Sequence, residues 1–252
     1  MFSHSLFNME NILDNLTNIN IDVYLDSADL KIIKSYSTNK NIKGFTSNPS
    51  LMSKSGIKSY GEFIKTFLTI SNNKPVSFEV TSDSINEMET QAKKINNFSN
   101  SIYVKIPILN TKGESTVDLI SRLSAQKIKI NVTAMMSFEQ AKDVIDNVKP
   151  GNEIILSLFA GRIADTGRDP EQTIKKTKNY IVKNKKQKVK ILWASVREIF
   201  NLFQAERSGA DIITLTPEIL EKIKLRNKNL HQYSIETAKM FYEDGLKNSL
   251  NI

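Results

Sequence analysis

From about residue 21 onward, short runs rich in apolar and β-branched residues alternate with longer stretches whose apolar residues recur every three or four positions. The short runs at 21–25, 43–45, 75–80, 102–106, 128–132, 153–159, 189–194 and 211–215 predict eight strands. The stretches between them predict helices, as in Val117, Ile120 and Leu123 or Ile199, Leu202 and Phe203. Each gap is long enough for a crossover helix between parallel strands. No Pro-, Gly- or Ser-rich linker, internal repeat or low-complexity segment breaks the series. Such an α/β pattern of eight β-α units predicts a (β/α)8 TIM barrel, with a doubly wound sheet as the alternative. Residues 1–20 precede the series as an N-terminal extension, and 21–252 read as a single barrel domain. An amphipathic helix from about residue 233 carries Ile235, Ala238, Met240, Phe241 and Leu246.

The strand ends favour the barrel, because barrels project catalytic groups from the C-terminal ends of several strands. Here those ends carry Asp26, Thr46 to Asn48, Glu79, Lys105, Asn131 to Thr133, Ser157 to Arg162, Ser195 to Arg197 and Thr214 to Thr216. Side chains alternate faces along a strand. If Val104 and Ile106 face the helices, Tyr103 and Lys105 face inward. Val76, Phe78 and Val80 outward send Glu79 inward, and Ile128, Ile130 and Val132 on one face leave Asn131 and Thr133 on the other. The same alternation predicts Trp193 as an inward, core-filling residue. The expected result is a polar cup holding a lysine, carboxylates, amides, hydroxyls and arginines.

Composition narrows the chemistry. The chain has 252 residues, no cysteine and only His4 and His231. Disulfides, thiolate nucleophiles and Cys- or His-rich metal centres are therefore excluded, and no metal is expected. No apolar run has the length of a membrane helix, and the first twenty residues, interrupted by Glu10 and Asp14, predict no signal peptide. A cytoplasmic location and no membrane partner follow as expectations. The net charge is +8, yet the densest basic run, from Lys183 to Lys190, contains no aromatic residue for base stacking. It reads as a solvated surface where a helix gives way to a strand, and no nucleic-acid partner is expected.

Lys105 requires an explanation, because an inward lysine between Val104 and Ile106 loses the water that favours its ammonium form. The neutral amine is a nucleophile toward carbonyls; the alternative is a buried ion pair with Asp26 or Glu79. Arg162 and Arg197 lie just past strands six and seven, near where barrels often bind phosphate, and Ser195 can add a hydrogen bond. Surface salt bridges are the alternative for either arginine. A lysine and a phosphate site together suggest Schiff-base chemistry on sugar phosphates.

The segments YLDSAD, GFTSNPSL, YVKIP, INVTAMMSFEQA, SLFAGRIAD, ILWASVR and GADIITLTPEIL resemble, in order and spacing, the consecutive motifs of transaldolases over about residues 21–249. The resemblance implies a barrel of class I aldolase type, with no cofactor. It implies transfer of a dihydroxyacetone unit between sugar phosphates, from sedoheptulose 7-phosphate to glyceraldehyde 3-phosphate, giving erythrose 4-phosphate and fructose 6-phosphate. Lys105 would form the imine with the ketose, and Asp26 would be the general base and acid at the C4 hydroxyl. Glu79 and Thr133 would hold a proton-relaying water. Asn48 and Asn131 would orient the dihydroxyacetone moiety beside Thr46, with Ser157 on the C1 hydroxyl. Arg162, Ser195 and Arg197 would bind phosphate. The small subfamily, which this chain approaches in length, packs its C-terminal helix over a neighbouring subunit. A homo-oligomer is the implied assembly, with packing on its own barrel as the alternative.

A related branch, the fructose-6-phosphate aldolases, carries Gln and Tyr where this chain has Glu79 and Phe159. Phe159 cannot protonate an enamine, so this pair resembles the transferases. An aldolase, or an enzyme acting on a modified sugar phosphate, is the alternative. Arg168 and Asp169 in GRIADTGRDP stand close in sequence to the phosphate-side arginine and would alter donor or acceptor preference.

Overall fold

Strands β1 (Asp22–Asp26), β2 (Ile42–Thr46), β3 (Val76–Glu79), β4 (Ile102–Pro107), β5 (Ile130–Met135), β6 (Ile154–Leu158), β7 (Val189–Trp193) and β8 (Ile212–Leu215) pair in that order, all parallel, and β8 returns to β1 to close a barrel. This is a computed structural model; it describes Leu16 and residues 19–248. The N-terminal extension lies almost wholly outside the described residues.

Helices α1 (Leu30–Ser37), α2 (Pro49–Lys54), α3 (Tyr60–Ile70), α4 (Ile85–Asn96), α5 (Val117–Ala125), α6 (Phe138–Asn147), α7 (Ala160–Asp165), α8 (Pro170–Lys183), α9 (Phe200–Ser208), α10 (Pro217–Glu221) and α11 (Leu230–Lys247) accompany the strands. Their starts are written locally. Asp29, Asn48, Ser84 and Asp169 each accept backbone N–H groups as N-caps, and Pro49 and Pro170 follow where a missing N–H costs nothing. Ser137 and Gln140 form a reciprocal capping box at α6. Glu171, 6% exposed, accepts from Arg207 and Gln204 and ties α8 to α9.

Two apolar layers result from strand alternation. The outer layer, between barrel and helices, contains Phe45, Phe63, Phe67 and Phe78 in edge-to-face contact at centroid separations of 5.2–6.0 Å. Val76, Val104, Ile106, Ile130 and Val132 share it, as alternation predicts. The inner layer closes the barrel floor with Tyr24, Ile155 and Ile212, joined by Tyr103. Tyr24 lies over Gly44: a Cβ built there would stand 2.6 Å from its ring and 2.9 Å from the Pro75 carbonyl, so only glycine fits.

Trp193 corrects the inward expectation. Leu192 and Ala194 line the barrel interior, and Trp193 belongs to the outer layer, 1% exposed and with its indole N–H unpartnered. It is core packing on the opposite face. β5 also starts later than expected and runs to Met135. Lys127 adopts a left-handed turn before it, and an irregularity after Val132, with Ala134 at φ 58°, lets Thr133 face the mouth while Met135 turns outward into the core. The basic run behaves as expected: residues 184–188 are the largely exposed turn from α8 to β7. The C-terminal helix starts at Leu230, capped by Asn229, and none of its residues is buried.

Candidate active site

A cavity of about 500 Å³ opens at the C-terminal ends of the strands. Every residue expected from sequence to form the site lines it: Asp26, Thr46, Asn48, Glu79, Lys105, Asn131, Thr133, Ser157, Phe159, Arg162, Ser195 and Arg197.

Adjacent strands set the centre. Glu79 and Lys105 face each other across the β3–β4 ladder, and Lys105 and Asn131 across β4–β5. Lys105 is 7% exposed; its Nζ lies 3.2 Å from Glu79 Oε2 and donates to the Ser47 carbonyl at 2.9 Å. The two sequence alternatives thus coincide, since an inward lysine at the cavity wall also pairs with Glu79. Asp26 accepts from Thr46 Oγ1 at 2.7 Å, and Thr46 shares a 2.6 Å hydrogen bond with Thr214. Burial pushes the Asp26 carboxyl above the usual aspartate range; the Lys105 charge and the Thr46 hydroxyl pull it down, and Glu79 pushes it up again.

A second chain of bonds orients the amide. Ser157 Oγ donates to Asn131 Oδ1 at 2.6 Å, and Asn131 Nδ2 donates to Ser77 Oγ at 3.0 Å, all three being buried. Asn48 spends its side-chain oxygen on the Leu51 N–H as cap of α2, which leaves its amide N–H groups for a ligand.

The opposite wall is cationic. The Arg162 guanidinium lies 5.9 Å from the centroid of the Phe159 ring. Arg197 is held by Asp165, with Nη2–Oδ2 at 2.5 Å and Nε–Oδ1 at 3.3 Å. Ser195 adopts a left-handed φ of 61°, and its carbonyl lies where a side chain on Gly161 would start, 1.6 Å from an ideal Cβ. Glycine at 161 therefore lets α7 lie against the loop after β7, which brings Arg162, Ser195 and Arg197 to one rim.

Sequence reasoning did not single out Ser77, Thr214, Asp165 or the Ser47 carbonyl. Thr214 carried a signal as a polar strand end; the others act through pairings across strands or loops that no local pattern reveals. Among the described residues, no three His, Asp or Glu side chains converge on a metal site, and no helix is long and apolar enough to cross a membrane.

Comparison with known proteins gives one family. The model described as transaldolase/fructose-6-phosphate aldolase matches residues 23–251. A probable transaldolase of Thermoplasma volcanium is 34% identical over 231 residues, 89% of this chain and 95% of that one. One from Bartonella henselae is 31% identical, covering 91% of this chain and 98% of the relative. Among solved structures, dihydrodipicolinate synthase from Rhodopseudomonas palustris matches with a TM-score of 0.56 at 10% identity, over 90% of this chain and 80% of that one. Thiamine phosphate pyrophosphorylase from Pyrococcus furiosus matches at 0.54 and 10% identity, over 82% and 93%. At that identity these two attest the barrel alone.

Proposed function

The chain belongs to the transaldolase/fructose-6-phosphate aldolase family, and on that premise we propose that it transfers a dihydroxyacetone unit between sugar phosphates through an imine on Lys105. The observation that carries this reading is the Lys105 amine at the wall of the cavity, between Glu79 and the Ser47 carbonyl, with Asp26 lining the same space.

The Lys105 amine adds to the C2 carbonyl of a ketose phosphate. The resulting carbinolamine loses water, and Glu79 and Thr133 position the water that relays the protons. Asp26 takes the proton of the C4 hydroxyl as the C3–C4 bond breaks, and the bonding pair moves into the protonated imine to give an enamine. The aldose phosphate departs. The enamine carbon attacks the next aldehyde, Asp26 returns the proton to the new hydroxyl, and hydrolysis frees the ketose and Lys105. A carboxyl raised by burial suits this double duty, because it gives and takes protons more evenly than an exposed one. Asn131 and Ser157, fixed by their mutual bond, hold the three-carbon unit with Asn48. Arg162, Ser195 and Arg197 hold the phosphate. Phe159 favours transfer over simple cleavage, since it lacks the phenolic proton that would quench the enamine, and Glu79 matches the transferases rather than the aldolase branch.

The proposed setting is cytoplasmic sugar-phosphate metabolism of the pentose phosphate type, in a homo-oligomer whose α11 covers a neighbouring copy. The test is borohydride reduction with fructose 6-phosphate followed by peptide mass spectrometry. A secondary-amine adduct on Lys105 is expected, and an adduct on another lysine overturns the assignment. Assays with fructose 6-phosphate, with and without erythrose 4-phosphate, separate the activities: transfer requires the acceptor, whereas an aldolase releases dihydroxyacetone without it.

A further inference from the structure

The space around the phosphate rim does not stop at Arg162. A second cavity of about 630 Å³ adjoins the first, and Arg162 lines both. Its walls come from the start of α6, from α7 and its connection to α8, and from α8 itself, with Arg168 and Lys176 among them. Among the described residues, Arg162, Arg168 and Lys176 have no carboxylate partner: Arg162 contacts the Phe159 ring, Arg168 donates to Thr166 Oγ1 at 2.9 Å, and Lys176 forms no ion pair. The neighbouring cations are engaged, Lys175 and Arg207 by Glu171, Lys178 by Asp211 and Arg197 by Asp165. Two carboxylates share the cavity wall. Asp169 is committed to the Glu171 N–H as the cap of α8, and Glu139 sits in the first turn of α6.

The connection carrying Arg168 is fixed at both ends. Gly167, at φ 78°, stops α7 in a left-handed turn, and Asp169 with Pro170 starts α8. Arg168 thus stands between two defined termini, while the Asp165 clamp on Arg197 occupies much of that guanidinium's fork. Arg162 is shared by the two cavities, with Ser195 and Arg197 lining the first and Arg168 and Lys176 the second.

We propose that this second cavity is an anion subsite continuous with the substrate site, in which Arg168 and Lys176, with Arg162, receive the phosphate of aldose acceptors of five or six carbons. The proposal rests on the transfer reading above and extends it to acceptor length. In the intact enzyme with sedoheptulose 7-phosphate as donor, kcat/KM is compared for three-carbon and five-carbon aldose phosphate acceptors. Arg168→Ala and Lys176→Ala are each expected to lower the five-carbon value on the order of tenfold and to leave the three-carbon value within about twofold. Equal loss with both acceptors, or loss with neither, overturns the proposal. Calorimetric binding of ribose 5-phosphate to the resting enzyme, which needs no turnover, separates the two readings. If no acceptor supports transfer, the transfer reading fails; the subsite stands only if ribose 5-phosphate binds and Arg168→Ala weakens that binding about tenfold, and falls if it does not.

Discussion

Asp26 stands where its charge is unfavourable: burial and Glu79 raise its pKa, and Lys105 and Thr46 only partly offset this. The folded protein therefore keeps the Asp26 proton to higher pH than the unfolded chain does. As pH rises from the ordinary aspartate range through the raised value, the native state binds more of this proton than the unfolded state, so the group's contribution to stability falls, and above that window the penalty is complete. Asp26→Asn retains the shape and an oxygen for Thr46 but removes the charge. At neutral pH its melting temperature should equal or exceed the parent's, while transfer falls by about two to four decades. A lower melting temperature with activity retained would make Asp26 a structural residue. Phe159 offers a second check. Phe159→Tyr adds a proton donor at the cavity wall beside Arg162, and dihydroxyacetone release from fructose 6-phosphate should rise while transfer falls or stays level. A folded variant that transfers but releases no more than the parent removes Phe159 as the gate. At this scale alternation along strands was enough to find Glu79, Lys105, Asn131 and Thr133. It failed at Trp193, because β7 is apolar on both faces and an indole suits either; Val189, Ile191 and Trp193 share the outer face and Leu192 and Ala194 the inner one.

Elements bring separate residues to one rim, and the contact of α7 with the loop after β7 is the clearest case. Gly161→Ala places a methyl group within the van der Waals radius of the Ser195 carbonyl, which already carries a left-handed φ. Relief requires moving α7 or the loop, at a cost of about 1–3 kcal/mol. The variant should melt several degrees lower, and KM for phosphorylated sugars should rise more than that for dihydroxyacetone, since Arg162 and Arg197 move apart while Lys105 stays. Unchanged kinetics with both substrate types would show that the rim does not depend on this contact. The element order was readable because caps and apolar periodicity are local. The bulge at Ala134 was not, since it depends on β6 and on the Met135 carbonyl receiving the Phe159 N–H at 2.8 Å. The Asp165–Arg197 clamp was hidden likewise, because 32 residues separate its members.

For the whole molecule, α11 is the element that the barrel does not account for. Its eighteen residues have no buried member, and Phe241, Tyr242 and Leu246 are 62–69% exposed. A helix this exposed gains little from propensity alone, and in the proposed homo-oligomer a neighbouring copy supplies its apolar cover. Sedimentation should show an assembly for the full chain, and Phe241→Glu with Tyr242→Glu should dissociate it while the barrel keeps its circular dichroism; a parent that sediments as a monomer rules the assembly out. The barrel itself has a further consequence. Tyr24 over Gly44, with Tyr103, Ile155 and Ile212, fills the space beneath the polar cup. On the transfer reading, donor and acceptor then enter the same cup in turn, the second sugar after the first product has left. Initial rates at several fixed acceptor concentrations should give parallel double-reciprocal lines, and excess acceptor should compete with the donor for the unmodified enzyme.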